Sequence, residues 1–573
     1  MQQKIIIYQV LPRLFSNTCE TCVPHGTIAQ NGVGKLNDFT PKVLSEIKSL
    51  GITHIWYTGI IEHATQTDYS QYNIRPNNKY IVKGKAGSPY AISDYYDIDP
   101  DLATDVPNRM NEFEQLVART HDAGMKVIID FVPNHVAREY HSDQLPEGVT
   151  DLGEYDNTEK QFDPNNNFYY IPRQRFSPHF YIGQESPDAY YEFPAKATGN
   201  DHFDAYPGIN DWYETVKLNY GVDYLAWRQQ HFDPIPDTWI KMRDILLFWC
   251  SKGIDAFRCD MAHMVPVEFW HWAIDIVKQK YPHIQFIAEI YDPGLYESYL
   301  NYGGFDFLYD KVGLYDKLRA ILCNDVSAAQ ISYCWQALDG HIDRMLNFLE
   351  NHDEQRFASV QYAGDASKVL PSLVVSSMMS KAPFMIYFGQ ELGEPANDAE
   401  GFSGKDGRTT IFDYWSVPTV RAWYNNGKCN ITRLLPEQRS LRKLYKKVLT
   451  LCNKEKAISE GAFYDLMYVN FGHNHFDPHQ QYAFLRYWRN EILVIIVNFG
   501  PYKTQVSTYI PQHAIDMMQI IPGRYMAIEL LEKTHDEKDL QADTPFITEV
   551  DGYGAVIWKI KAAQKTSIPT TKI

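Results

Sequence analysis

An alternation of short apolar runs with helix-like segments, sustained over residues 4–451, most constrains what this chain can become. Lys126 to Phe131 (KVIIDF) is apolar at nearly every position, as strands buried on both faces of a parallel sheet are. Parallel neighbours need a long crossover, usually a helix. The crossovers are legible. Thr40-Pro41 offers a cap and a proline at the first helical position; Val43, Leu44, Ile47 and Leu50 recur at helical spacing, and Gly51 stops the run. A second helix is expected over 108–121, closed by Ala123-Gly124. The expected strands are 4–9, 52–57, 126–131, 253–260, 284–290, 305–308, 346–349 and 384–388, with a last helix near 439–451.

Eight strand–helix units under the right-handed crossover rule predict an α/β fold, a (β/α)8 TIM barrel. A doubly wound open sheet would carry a Gly-rich phosphate loop after an early strand, and none is present. The stretch 137–236 is rich in Tyr, Asp, Asn and Pro, lacks helical period and is too long for a loop, so it reads as an inserted irregular domain. Beyond Gly461 strands occur without helices, which predicts a C-terminal antiparallel β domain. The expected boundaries are 1–136 and 237–457 for the barrel, 137–236 for the insert and 458–573 for the last domain.

A net charge of −17, spread along the chain, argues against nucleic acid or anionic lipid as partners, since both need a basic face. No apolar run reaches 18 residues, so no membrane-spanning helix is expected. A strand-like run starts almost at once, without a leader, and this points to a cytoplasmic location. The oligomeric state is not legible. Eight scattered cysteines make no disulfide framework, and Cys19 with Cys22 forms a C-x-x-C near His25 that no second pair completes.

Polar residues at the C-terminal ends of barrel strands face the active site. In Gly253-Ile254-Asp255-Ala256-Phe257-Arg258-Cys259-Asp260, Arg258 and Asp260 share one strand face. Alone this pair reads equally well as a structural ion pair. The other strand ends add Asp130 to His135, Glu289, and His352 with Asp353, which brings carboxylates, an arginine and two histidines to one rim. Paired carboxylic groups suit glycoside cleavage, one as nucleophile and one as acid then base. Asp260, kept ionised by Arg258, fits the nucleophile. Glu289, in the apolar run Ile287-Ala288-Glu289-Ile290, fits the acid. Asp353 would grip sugar hydroxyls, with His135 and His352 as neutral hydrogen-bond partners.

These segments resemble the α-amylase family of glycoside hydrolases, family 13. Asp130-Phe131-Val132-Pro133-Asn134-His135 is similar to its D-x-x-x-N-H segment, and Gly253 to Asp260 to its G-x-D-G-F-R-x-D, with Ala256 at the inner glycine. Phe286 to Ile290 and Phe348 to Asp353 resemble two further segments. Ser88 to Tyr95 resembles the segment whose tyrosine stacks on the sugar, which nominates Tyr90. The resemblance implies retention of anomeric configuration and a C-terminal β-sandwich. It also implies a substrate among starch-derived glucans or malto-oligosaccharides, and catalysis without a required cofactor. A structural calcium at Asn134 is implied too, with Asp201, Asp204 and Asp211 as candidate co-ligands. A transglycosylase of the same architecture would carry the same residues. A non-catalytic glucan-binding or transporter-associated relative would usually have lost carboxylates or gained a membrane helix.

Three departures bear on substrate. His263 and Met264 stand where many α-amylases have Lys-His, which leaves His263 as a candidate sugar contact. Ala91 stands where exo-acting α-glucosidases often place an aspartate. Val216-Lys217-Leu218-Asn219 resembles a P-K-L-N variant found on the neopullulanase and cyclomaltodextrinase side of the family.

Overall fold

The computed structural model describes residues 3–565. Eight parallel strands close a barrel: β1 (Ile6–Val10), β2 (His54–Tyr57), β3 (Lys126–Phe131), β4 (Ala256–Cys259), β5 (Gln285–Ala288), β6 (Phe307–Tyr309), β7 (Met345–Phe348) and β8 (Phe384–Tyr387). Their spatial order is their chain order, with β1 hydrogen-bonded to both β2 and β8. The expected run 126–131 matches its strand, and the others differ from theirs by one to three residues at an end; 260 and 289–290 lie past the paired segments, toward the rim.

Helices α1 (Pro41–Lys48), α2 (Arg109–Asp122), α3 (Asp237–Ser251) and α4 (Val267–Lys280) link the first five strands. The Thr40 hydroxyl accepts from the Val43 N–H at 3.3 Å, the local reason α1 begins there. Gly51 ends the turn after α1 at φ +97°, where a Cβ would lie 3.1 Å from the backbone of Leu449.

One crossover departs from eight equal units. Between β5 and β6 there is no α-helix, but a 3-10 turn at Pro293–Leu295 and a π-helical turn at Ser298–Tyr302. Pro293, Gly294, Gly303 and Gly304 leave too little uninterrupted chain for a longer helix. The remaining crossovers carry α5 (Asp316–Cys323), α6 (Gln330–Gln336) and α7 (Leu370–Met378), and after β8 come α8 (Pro418–Tyr424) and α9 (Pro436–Lys454).

The segment between β3 and α3 holds only short pairings, such as His135–Ala137 against Thr215–Lys217. Its chain is tied mostly by side chains: the Arg138 guanidinium donates to Tyr213 O, Thr215 O and Glu192 Oε1 at 2.7–3.1 Å.

The C-terminal region forms an antiparallel six-stranded sheet, with Glu491–Asn498 between Gln481–Trp488 and Gly554–Lys561. A second sheet pairs Thr504–Thr508 with Phe546–Val550. The run ILVIIV is buried throughout because the strand sits mid-sheet between that second sheet and the barrel helices. Arg486, buried on its neighbour, anchors the domain to the barrel through Met379 O, 3.0 Å away. Among the described residues no helix is long and apolar enough to cross a membrane.

Candidate active site

Arg258, on β4, lies between Asp130 on β3 and Ile287 on β5 in the barrel register. Its guanidinium is buried and serves three carboxylates. Nη1 donates to Asp260 Oδ1 at 2.8 Å and lies 3.4 Å from Asp130 Oδ1, while Nη2 contacts Glu289 Oε2 at 2.8 Å. Its planar fork can hold two carboxylates at once, which an ammonium on a flexible stem cannot do. The ring of Trp56 lies 5.2 Å and that of Tyr90 5.3 Å from the guanidinium carbon.

This sharing corrects the simple expectation that Arg258 alone keeps Asp260 ionised. Desolvation on burial pushes the Asp260 carboxyl well up against the pull of Arg258, and Glu289, Asp130 and Asp353 add to the rise. Asp130 is pushed up to about 6, chiefly by burial, with Arg258 and the Trp56 indole opposing. Asp353 is pushed up to about 7 by burial and by Glu289. Burial thus favours the protonated forms of Asp260, Asp130 and Asp353, which lie close enough to titrate together.

The setting of Glu289 is also corrected. Its sequence neighbours are apolar, but its carboxylate meets donors: Met261 N–H on Oε2 at 2.9 Å and the Tyr291 hydroxyl on Oε1 at 2.5 Å. Burial and the neighbouring carboxylate drive the Tyr291 phenol well up, so it stays a donor.

His352 is buried behind Tyr90, stacked on it at 5.1 Å between ring centres. Burial drives its proton affinity well below the ordinary value, with Arg258 reinforcing the effect, so the ring is neutral. The Gln9 amide nitrogen lies 2.8 Å from Nδ1. Donation there leaves the ring proton on Nε2, which faces Tyr90 Oη at 2.5 Å and Asp353 Oδ2 at 3.1 Å. Tyr90 in turn points its hydroxyl at Asp130 Oδ1, 3.4 Å away. His135 is likewise neutral, lowered to about 3 by burial and by Lys217.

A cavity of about 560 Å³ opens above these groups and is lined by Tyr90, His135, Asp260, Glu289 and Asp353 together. That volume is in the range of small-molecule pockets. Arg258 and His352 stand behind the wall. His263 does not line the cavity: its Nδ1 is buried without a partner among the described residues, and Met261 and Tyr291 take the wall beside it. Residues the sequence did not single out complete the lining, among them Trp212 and Glu214 from the insert, Lys83, and Phe412. Tyr291 could have been found by its spacing, two residues past Glu289; Trp212 lies in a stretch with no periodic signal.

The residues around Asn134 do not fit calcium. The Lys217 ammonium, 2 % exposed, lies 2.5 Å from Asn134 Oδ1 and 2.7 Å from Asp201 Oδ1. A divalent ion would need those same oxygens and would meet a fixed positive charge. Asp204 and Asp211 are engaged elsewhere, with His202 and with Asn200. Cys19 and Cys22 point to different carbonyls, Gln30 O and Ser416 O, and make no zinc set.

The profile described as "Alpha amylase, catalytic domain" matches residues 9–461. The chain is 23% identical over 473 residues to Alpha-amylase 3 of Dictyoglomus thermophilum, covering 80% of this chain and 78% of that protein. It is 22% identical to a cyclomaltodextrinase of Thermoanaerobacter pseudethanolicus, covering 86% and 70%. It spans less than half the length of other curated α-amylases it matches, 40% and 42% of two of them. The α-amylase of Geobacillus thermoleovorans solved with acarbose shares the fold, with a TM-score of 0.61 at 19% identity over 99% of this chain and 100% of that one. With a closed parallel barrel, this rim and a match over most of its length, the chain belongs to the α-amylase family of glycoside hydrolases, family 13.

Proposed function

We propose that the chain cleaves α-glucosidic bonds, mainly α-1,4, in starch-derived glucans or malto-oligosaccharides, with retention of configuration. The observation that carries this reading is the bridging of Asp260 and Glu289 by adjacent nitrogens of Arg258. One guanidinium clamping both carboxylates favours the short spacing of retaining enzymes, about 5–5.5 Å, over the wider gap of about 6.5–9.5 Å that an inverting water needs.

A sugar seated in the cavity meets Asp260 on one side of its anomeric carbon. An oxygen of Asp260 bonds that carbon while the glycosidic C–O bond breaks, and Glu289 gives its proton to the leaving oxygen. Glu289, now ionised, takes a proton from water; the hydroxide oxygen bonds the anomeric carbon, and the bond to Asp260 breaks. Tyr90 supplies a flat face for the sugar, the neutral His135 supplies a hydrogen bond that strengthens as charge develops, and His352, behind the wall, positions Tyr90 and Asp353. Arg258 disperses the charge of the carboxylates without itself reacting.

The test is a trapped intermediate. Glu289→Gln, offered α-maltosyl fluoride, which needs no proton to leave, should gain the mass of one maltosyl group on the peptide carrying Asp260. Absence of label there, with a folded variant, would reject the assignment. Chromatography of products from maltotriose and cyclodextrin then separates hydrolysis from transfer, since transfer makes chains longer than the substrate.

A further inference from the structure

The chain supplies its own cation at Asn134 but leaves another buried carboxylate group short of one. Two antiparallel strands, Ile61–His63 and Ile92–Ile98, follow β2 and present Glu62 directly opposite Asp94. Register shifts in this short pair bring Asp97 to the same place, and one oxygen from each of the three carboxylates lies within 4.8 Å of the others. All three side chains are buried, at 3 %, 0 % and 2 % exposure. Like charges directly opposite in a sheet repel, and burial removes the water that would screen them.

The donors around them are unequal. Asp97 is paired with the Arg109 guanidinium, and Oδ1 takes the Ile98 N–H. Asp94 accepts four hydrogen bonds, from the Tyr96, Asp143 and Gln144 amides and the Ser142 hydroxyl, at 2.7–2.9 Å. Glu62 has only the Ser93 hydroxyl, at 3.0 Å on Oε1. Its other oxygen, Oε2, is buried with no partner among the described residues. Arg109 is the cation in contact with the cluster among the described residues, and Asp143 adds a further negative charge beside it. An orphaned buried carboxylate oxygen costs more than almost any other polar defect, so it marks a place where something positive is missing.

We propose that Glu62, Asp94 and Asp97 bind a hard divalent cation, calcium by ligand type. Calcium takes oxygen ligands at about 2.3–2.6 Å, so two ligand oxygens on opposite sides of it stand up to about 5 Å apart, and one oxygen from each of the three carboxylates falls within that span. The ion would use Glu62 Oε2 and relieve the repulsion across the strand pair. Its structural effect would reach the rim, because the strand that carries Asp94 and Asp97 begins two residues after Tyr90. Clamping that strand fixes the platform on which the sugar rests.

The competing fate of the cluster is a shared proton: burial, with Asp94 and Asp97 adding, drives Glu62 well up in affinity for one. The two are separated by titrating full-length protein, stripped with EDTA and desalted, with CaCl2 in a calorimeter, and by following terbium luminescence excited through tyrosine. One site per chain is expected, with a rise in Tm on adding calcium. Glu62→Gln should weaken calcium binding at least tenfold and abolish the terbium signal, while Lys217→Met leaves both intact. Calcium binding unchanged in Glu62→Gln, or no binding and no Tm rise in the wild-type protein at millimolar calcium, overturns the proposal. Should Glu62→Gln fail to fold, the wild-type calorimetry and Tm decide alone.

Discussion

The Tyr291 hydroxyl donates to Oε1 of Glu289 at 2.5 Å, while the Met261 amide holds Oε2 of the same carboxylate. Both donors fix where the group points, and position matters because proton transfer depends steeply on alignment. Tyr291→Phe keeps the ring in the cavity wall and removes only the donor. It should lower kcat about tenfold with KM changed less than about twofold, the signature of lost alignment and not of lost binding. A KM effect alone would make Tyr291 a sugar contact.

The proton load on the rim sets a pH dependence. Asp353 is pushed up to about 7 by burial and by Glu289, Asp130 up to about 6 by burial, and Asp260 rises as well. Asp353 and Asp130 take up their protons as pH falls through those values, Asp260 does so above its ordinary range, and a protonated Asp260 cannot attack. The kcat/KM profile should therefore fall on the acid side with a midpoint well above the ordinary carboxyl value of about 4. A midpoint near 4 would show that Arg258 outweighs burial.

Much of this was legible in the chain. Strands buried on both faces leave unmistakable apolar runs, and KVIIDF and GIDAFRCD are two of them. Carboxylates at strand ends are legible for the same reason, since polarity at the end of such a run has few other uses. What escaped lies between segments distant in sequence. Lys217 reaches Asn134 across 83 positions, and no pattern in the intervening irregular chain announces it. Trp212 and Glu214 enter the cavity from the same stretch, where neither period 2 nor 3.6 holds. The missing helix between β5 and β6 was half visible, in the one proline and the glycines that interrupt it.

Lys217 offers a third prediction. Its ammonium ties Asn134 Oδ1 and Asp201 Oδ1, and Lys217→Met removes the charge while keeping the stem. Breaking a buried pair costs about 3–5 kcal/mol, but Asp201 is partly open to solvent, so about 1–3 kcal/mol is expected. Urea denaturation should show it as a lower midpoint at unchanged slope. Adding Asp201→Asn to that variant should recover part of the loss, because the stranded carboxylate is then gone; strictly additive losses would mean the two side chains do not interact.

Glu400 tests burial without a catalytic role. It is 3 % exposed, its carboxylate accepts the Thr410 N–H at 2.7 Å, and among the described residues no cation pairs with it. Burial pushes it up from 4.5 to about 8, with the Thr410 amide opposing. Between those values the folded chain keeps a proton that the unfolded chain has released. The stability this group contributes is thus full below about 4.5 and is lost as pH rises through about 8. Once the folded group has ionised, no further loss accrues from it; between the two values the slope approaches about 1.4 kcal/mol per pH unit. Glu400→Gln keeps the shape and removes the titration, so its Tm relative to the wild-type protein should climb steadily from pH 5 to pH 8 and level off by pH 9. A difference independent of pH would mean that Glu400 finds a cation in solution that the fold does not supply.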